Sequence, residues 1–315
     1  MRACFVLAHI CSQIFRKNIV MEQFENNIFV GDDNDHFELW NRNDWVEFIR
    51  HFCQQDGGSN SALVQILLNC SISTHEIASV IYSQIEACKA HNCRYLLFCD
   101  EEYPKLLRQI IVPPLGLFAR GRISVLNSNM ISVIGSRRAS SRALSRSHDL
   151  GKLLVDQSLA IVSGGAFGCD VAVHLGGMES SEKTKNLIIV FANSLDRIGP
   201  KSNHHVFQRL LSSGGLFLSE RLWSSKTYPY HFPTRNRIIS GLSPITVVME
   251  AGLKSGTLLT CNLALDQGRD VLVSFSESYG VGSDGGASLV ADGAQGFADV
   301  KSLAKYCQDY YESLA

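Results

Sequence analysis

The chain has 315 residues, 45% of them hydrophobic and 19% charged, with a formal net charge of −1. That length accommodates one large domain plus a smaller one, and the balance fits a globular protein with no run of eighteen apolar residues to cross a membrane. With so little net charge, any surface that binds nucleic acid has to be local rather than global.

Ten cysteines are scattered without C-x-x-C pairing, which fits a reducing cytoplasm better than a disulfide framework. Cys88, His91, Cys93 and Cys99 form the one cluster that hints at metal, but their spacing fits no standard zinc module, so they are read as unliganded thiols. No metal and no cofactor is expected.

Residues 1–43 read as a poorly defined extension. Arg2 and the apolar run to Ile14 resemble a signal peptide, but His9 and Gln13 interrupt the run and no A-x-A site follows. A true start at Met21 fits at least as well. Residues 44–94 carry helical periodicity: Trp45, Phe48, Ile49 and Phe52 share one face, Leu63, Ile66 and Leu67 a second, and Ser73 with Glu76 makes a capping box for a third helix. This is a small helical accessory domain without a catalytic constellation. Residues 95–129, with Tyr103-Pro104 and Pro113-Pro114, read as an ordered strap.

From residue 130 to 300 the pattern is strand, turn, helix, repeated. The strands are placed at 130–134, 159–162, 187–192, 216–218, 245–249 and 271–275, and the run at 245–249 is apolar, β-branched and too short for a helix. Such alternation implies a doubly wound, mainly parallel α/β sheet, in which ligands bind outside the carboxyl ends of the strands. Residues 301–315 form a closing helix. In the stretch Phe232–Asp270, Thr234 is expected to cap a helix, and Gly268 to end a second one running from Leu258 to Gln267.

The polar turns all fall at those carboxyl ends. Gly135-Ser136-Arg137 sets a glycine where backbone must approach a ligand and a guanidinium suited to a phosphate beside it. Gly164, Gly165, Ala166, Phe167 and Gly168 offer glycines and unpaired N–H groups at a helix start, a phosphate cradle. Lys254, Ser255, Gly256 and Thr257 repeat the device with an ammonium added. Three such turns with Arg137, Arg235, Arg237 and Lys254 point to an anionic ligand, although the spacing fits neither G-x-G-x-x-G nor the Walker pattern.

Lys105, Arg108, Arg120, Arg122, Arg137, Arg138, Arg142, Arg146 and Lys152 face only Asp149 within their segment, which favours a polyanion over a small nucleotide. Phe167, Phe207 and Phe232 are candidate stacking faces for unpaired bases, each weighed against a core position. Asp170 and His174, one turn apart, are read as a hydrogen bond within a helix in preference to a metal or acid–base pair, since no third group matches. Glu250 is read as an acceptor that orders its loop in preference to a general base.

Several blocks then point to a family: Ile134-Gly135-Ser136-Arg137, the Ser163–Asp170 loop with His174, Ser219-Glu220, and Phe232–Ser243. Glu250-Ala251, Ser255-Gly256-Thr257 with Thr260, and Gly268-Arg269 follow in the same order. Between Tyr103 and Ala294 the chain closely resembles the bacterial DNA-processing protein DprA (Smf) family. The resemblance implies an extended Rossmann-like fold preceded by a SAM-like or helix-hairpin-helix-like domain. It implies a non-enzymatic protein that binds single-stranded DNA during natural transformation, forms a homodimer and loads the RecA recombinase. Under it, Arg137, Lys201, Asn203, the glycine loop, Arg235 and Asn236 line the DNA site, and the chain stops before the winged-helix-like domain some members carry.

The chain also departs from the family pattern. Gly199-Pro200 replaces Tyr-Pro, Phe275-Ser276 replaces Pro-Gly, Gly285-Gly286-Ala287 stands for G-T-N, and Cys169 for an isoleucine. The alternative is a nucleotide-binding protein or nucleoside-phosphate hydrolase of the lysine-decarboxylase-like Rossmann group, but Thr260 stands where the hydrolase acid belongs.

Overall fold

The structure is a computed structural model and describes residues 6–7, 9–10, 74–181, 186–274 and 284–314. The helical expectation for residues 44–73, with the Ser73 cap, lies outside them, as does the extension from 11 to 43. The chain divides into two compact units. The first comprises Met1–Tyr103, Val112–Phe118 and Glu220–Trp223, and the second Pro104–Ile111, Ala119–Ser219 and Ser224–Ala315. The strap expected over 95–129 therefore contributes to both.

In the first unit α1 (Thr74–Ala90) leads into β1 (Cys93–Leu97), which lies beside the opening half of β2 (Gly116–Gly121). Tyr95 stacks on Phe118 with ring centroids 4.6 Å apart, and Tyr103 donates its hydroxyl to Pro114 O at 2.7 Å. The Trp223 amide donates to Gln84 Oε1, closing the unit around α1.

The second unit opens with the single turn α2 (Lys105–Arg108) and then alternates strictly. Its strands are β3 (Met130–Ile134), β4 (Ala160–Ser163), β5 (Leu187–Phe191), β6 (Leu216–Ser219), β7 (Ile245–Val248), β8 (Asp270–Ser274) and β9 (Gln295–Phe297). Between them run α3 (Ser141–Asp156), α4 (Cys169–Met178), α5 (His204–Ser212), α6 (His231–Gly241), α7 (Gly256–Asp266) and α8 (Asp284–Ala291), and α9 (Val300–Glu312) closes the unit. The spatial order is β6-β5-β4-β3-β7-β8-β9, and every neighbouring pair is parallel.

Strands β3, β4, β5, β6 and β7 are buried along their whole length. That is why they read as mostly apolar runs, with one Ser or Thr at most in each: helices cover both faces of a parallel sheet, and each buried Ile, Leu or Val contributes roughly 1.5–3 kcal/mol. The chain runs outward from β3 through β4, β5 and β6, then returns to place β7 on the other side of β3. This reversal between β3 and β7 is the topological switch point, where the loops diverge and leave a crevice.

Two serines fix α6 against that point. Ser132 Oγ donates to Ile239 O at 2.7 Å, and Ser243 Oγ accepts from the Ser132 amide and donates to Met130 O at 2.6 Å. Helix α6 begins at His231, not at Thr234, whose hydroxyl donates back to Tyr230 O at 2.7 Å from inside the helix. Pro233 sits in the first turn, where its missing N–H has no intrahelical partner to lose, so it opens the helix and does not precede it. Gly268, with φ +68°, follows α7 in the left-handed conformation expected of a terminating glycine.

Candidate nucleic-acid interface

Three loops meet at the carboxyl ends of β3, β4 and β7, and hydrogen bonds hold them to one another. The Ser136 amide donates to Glu250 O at 2.8 Å, and Ser136 O accepts from the Cys169 amide at 3.2 Å. A Cβ on Gly168, which has φ +79°, would lie 2.1 Å from Ser136 O, so only glycine lets the two loops touch. Gly135 has a similar reason. A Cβ there would sit 2.6 Å from the Cys169 side chain, so this glycine admits a neighbouring side chain, and it also lines a cavity on this rim.

The Gly164–Gly168 loop is shaped from beneath. Asp170, in the first turn of α4, accepts from the amides of Gly164 and Ala166, both at 3.2 Å. Two of the loop's N–H groups, those of Gly164 and Ala166, are thus satisfied within the protein, which narrows the expected amide cradle. Arg235 is buried below the same loop and donates Nη1 to Gly164 O at 2.9 Å and to Val190 O. Burial pushes the Arg235 guanidinium down to about 10, and Asp170 opposes that shift. Burial raises the Asp170 carboxyl, with Arg235 and the loop amides pulling it back. Asn203 completes the support, donating Nδ2 to Gly165 O at 3.3 Å. Arg235 and Asn203, expected among the DNA contacts, thus position the loop, and Arg235 also faces the cavities.

Two cavities open on this rim and share Arg137, Ala166 and Arg235. The first, about 410 Å³, is the more polar of the two, its walls polar and apolar in near-equal part, and is lined by Ser136, Arg138, Asn236, Ser255, Gly256 and Thr257 among others. The second, about 270 Å³, is more apolar and is lined by Gly164, Phe167, Phe191, Pro200 and Phe232, among others. Arg137 is exposed between them, its guanidinium carbon 5.4 Å from the centroid of the Phe232 ring. Lys201 is exposed and directly follows Pro200 of the apolar cavity, and Lys254 is exposed directly before Ser255 of the polar one. Gly165 and Gly168 shape the loop without lining either cavity.

Other readings change. Phe207 is fully buried edge-on to Phe191, with centroids 5.1 Å apart, whereas Phe167 is 49% exposed. The basic segment is not one surface: Arg122 donates to Gly214 O and Asn186, Arg146 to Ser274, Ala298 O and Phe297 O, and Lys152 pairs with Asp156. Only Arg137 and Arg138 from that segment line the crevice. Arg138 was not singled out for the site, although its adjacency to Arg137 was signal enough. His174 does not bond Asp170. Its ring nitrogens have no hydrogen-bond partner among the described residues, and burial pushes it down to about 3. Glu250 accepts from the Ser140 amide and from Ser140 Oγ at 2.6 Å, so its carboxylate orders the β3–α3 loop and is not among the residues lining the cavities.

Among the described residues no group of three or more His, Cys, Asp or Glu is placed to hold a metal ion, and no helix is long and apolar enough to cross a membrane. The family model for DNA recombination-mediator protein A matches residues 94–308, which include every residue of the crevice. The chain belongs to the DNA recombination-mediator protein A family. It is 33% identical over 204 residues to protein Smf of Borreliella burgdorferi, covering 65% of this chain and 63% of that one. The chain thus spans less than two thirds of that relative. The crystal structure of DprA from Streptococcus pneumoniae matches with a TM-score of 0.64 and 26% identity, over 84% of this chain and 92% of that one. DprA from Helicobacter pylori, described for its single-stranded DNA binding mode, matches with a TM-score of 0.61 and 27% identity, over 68% and 94%. The likeness to these DNA recombination-mediator proteins fixes the α/β Rossmann-like fold and a DNA-processing family.

Proposed function

We propose that this chain binds single-stranded DNA along the β3–β4–β7 rim, with Arg137 as the principal phosphate contact, and carries out no chemistry on it. The observation that carries this reading is the position of Arg137: exposed, seated on Phe232, with a polar cavity on one side and an apolar one on the other. A phosphate fits the first environment and an unpaired base the second, and a single-stranded polymer offers both at one-nucleotide spacing. Lys201 and Lys254 extend the positive rim. The likeness to the DNA-processing protein of Streptococcus pneumoniae, and to that of Helicobacter pylori, described for its single-stranded DNA binding mode, supports the same ligand.

On this reading the protein acts in the cytoplasm as a homodimer that protects DNA entering during natural transformation and loads RecA onto it. The described cysteines, all free thiols, suit that compartment. The deciding experiment is a salt-titrated binding assay with oligo-dT, duplex DNA and free nucleotides. Tight, salt-dependent binding of oligo-dT over both others is expected, and preference for a free nucleotide overturns the proposal. Faster RecA assembly on oligo-dT in the presence of the protein tests the loading step.

A further inference from the structure

The segment just before α6 carries a feature that the phosphate-binding rim does not use. Tyr228 and Tyr230 are 37% and 46% exposed, and their rings lie nearly parallel, 10° apart in plane with centroids separated by 5.6 Å. They are held there. His231, buried, meets both rings edge-on, at 5.5 Å from Tyr228 and 4.5 Å from Tyr230. Its Nδ1 also accepts the Tyr228 amide at 3.3 Å. Pro229 separates the tyrosines and restricts the backbone between them. Two stacked, partly exposed aromatic rings held by a buried support have already lost much of the freedom that stacking a ligand normally costs.

Their surroundings give the platform a direction. Phe232, two residues on from Tyr230, lines the apolar cavity beneath Arg137. On the other side Thr227 Oγ1 accepts from Asn193 Nδ2 at 2.9 Å, and Asn193 lines that same cavity. The tyrosine pair is therefore tethered at both ends to the cavity wall. Lys226, exposed, precedes it and brings an ammonium to the same segment.

We propose that Tyr228 and Tyr230 form a base-stacking platform that continues the path of single-stranded DNA past the apolar cavity, with Lys226 taking a backbone phosphate beside it. This rests on the single-stranded DNA reading above. Stacking on tyrosine is indifferent to base identity because every base has a π-face, so the platform adds affinity without sequence preference.

The test compares oligo-dT with an oligomer of equal length whose sites are all abasic, by fluorescence anisotropy at fixed salt. Tyr228→Ala and Tyr230→Ala are each expected to weaken oligo-dT binding by at least about fivefold, with the abasic oligomer little affected. Tyr230→Phe, which keeps the ring, is expected to bind both as the wild type does. Arg137→Ala serves as the contrast, since loss of a phosphate contact weakens both oligomers. Unchanged oligo-dT binding by both alanine variants overturns the platform while leaving the rim intact, and so does an equal loss on both oligomers. An altered sedimentation coefficient with unchanged DNA binding would instead mark the tyrosines as a contact between copies of the chain. A wild-type protein that binds neither oligomer removes the underlying reading and the platform with it.

Discussion

The Arg137 guanidinium rests on Phe232, 5.4 Å from the ring centroid, where the two cavities meet. A ring face orients a guanidinium without consuming its N–H donors, so they remain for a phosphate. Arg137→Ala is expected to weaken oligo-dT binding roughly tenfold or more at low salt, the size of one charge-assisted contact. The log–log salt slope is expected to flatten by about 0.7, one phosphate's share on a single strand. Arg137→Lys is expected to keep the slope and recover only part of the affinity, because an ammonium lacks the planar fork.

Two glycine-to-alanine substitutions are expected to have opposite outcomes. Gly168→Ala forces a Cβ to 2.1 Å from Ser136 O at φ +79° and is expected to destabilise the fold by at least about 2 kcal/mol. Gly256 begins α7 with nothing within 4 Å of the added methyl, and Gly256→Ala is expected to leave stability unchanged or raise it by up to about 1 kcal/mol. Urea denaturation of the two variants checks the pair.

Ser140 caps α3, accepting from the Ala143 amide at 3.1 Å while donating to Glu250. Ser140→Ala removes both bonds and is expected to cost about 1–2 kcal/mol in denaturant titrations. Because Glu250 serves this loop, Glu250→Gln is expected to lower stability and to leave release of base or phosphate from nucleoside monophosphates at background, as in the wild type. Turnover by the wild type that disappears in Glu250→Gln would support the hydrolase alternative.

His174 makes stability depend on pH. Burial holds it near 3 in the fold against 6.5 unfolded, so between those values the unfolded chain binds the extra proton. Stability contributed above pH 6.5 is lost as the pH falls toward 3, at up to about 1.4 kcal/mol per pH unit from this group. His174→Gln is expected to flatten the wild-type dependence between pH 6 and pH 4, measured by thermal denaturation across that range.

The sheet was legible because parallel strands buried on both faces leave a clear mark: Met130–Ile134 and Ile245–Val248 are short, mostly apolar runs, broken only by the small hydroxyl residues Ser132 and Thr246. The loops at their carboxyl ends followed from topology. Less legible was which polar groups are spent inside the protein. Asp170 and Arg235 stand 65 positions apart, so no local pattern shows that one consumes the loop amides and the other the loop carbonyl. Arg122 and Arg146 likewise looked like members of a basic surface, because their acceptors at Gly214 and Ala298 come from distant sequence. Tyr228 and Tyr230 gave no signal alone, since only the fold places them beside the cavity that Phe232 lines.

The buried charges under the glycine loop have an evolutionary corollary. With Arg235 bonded to two backbone carbonyls and Asp170 to two amides, losing either residue strands the other's charge away from water. Drift at one position is then blocked until the other changes as well, so in descendants of this sequence the two are expected to be inherited, or abandoned, together.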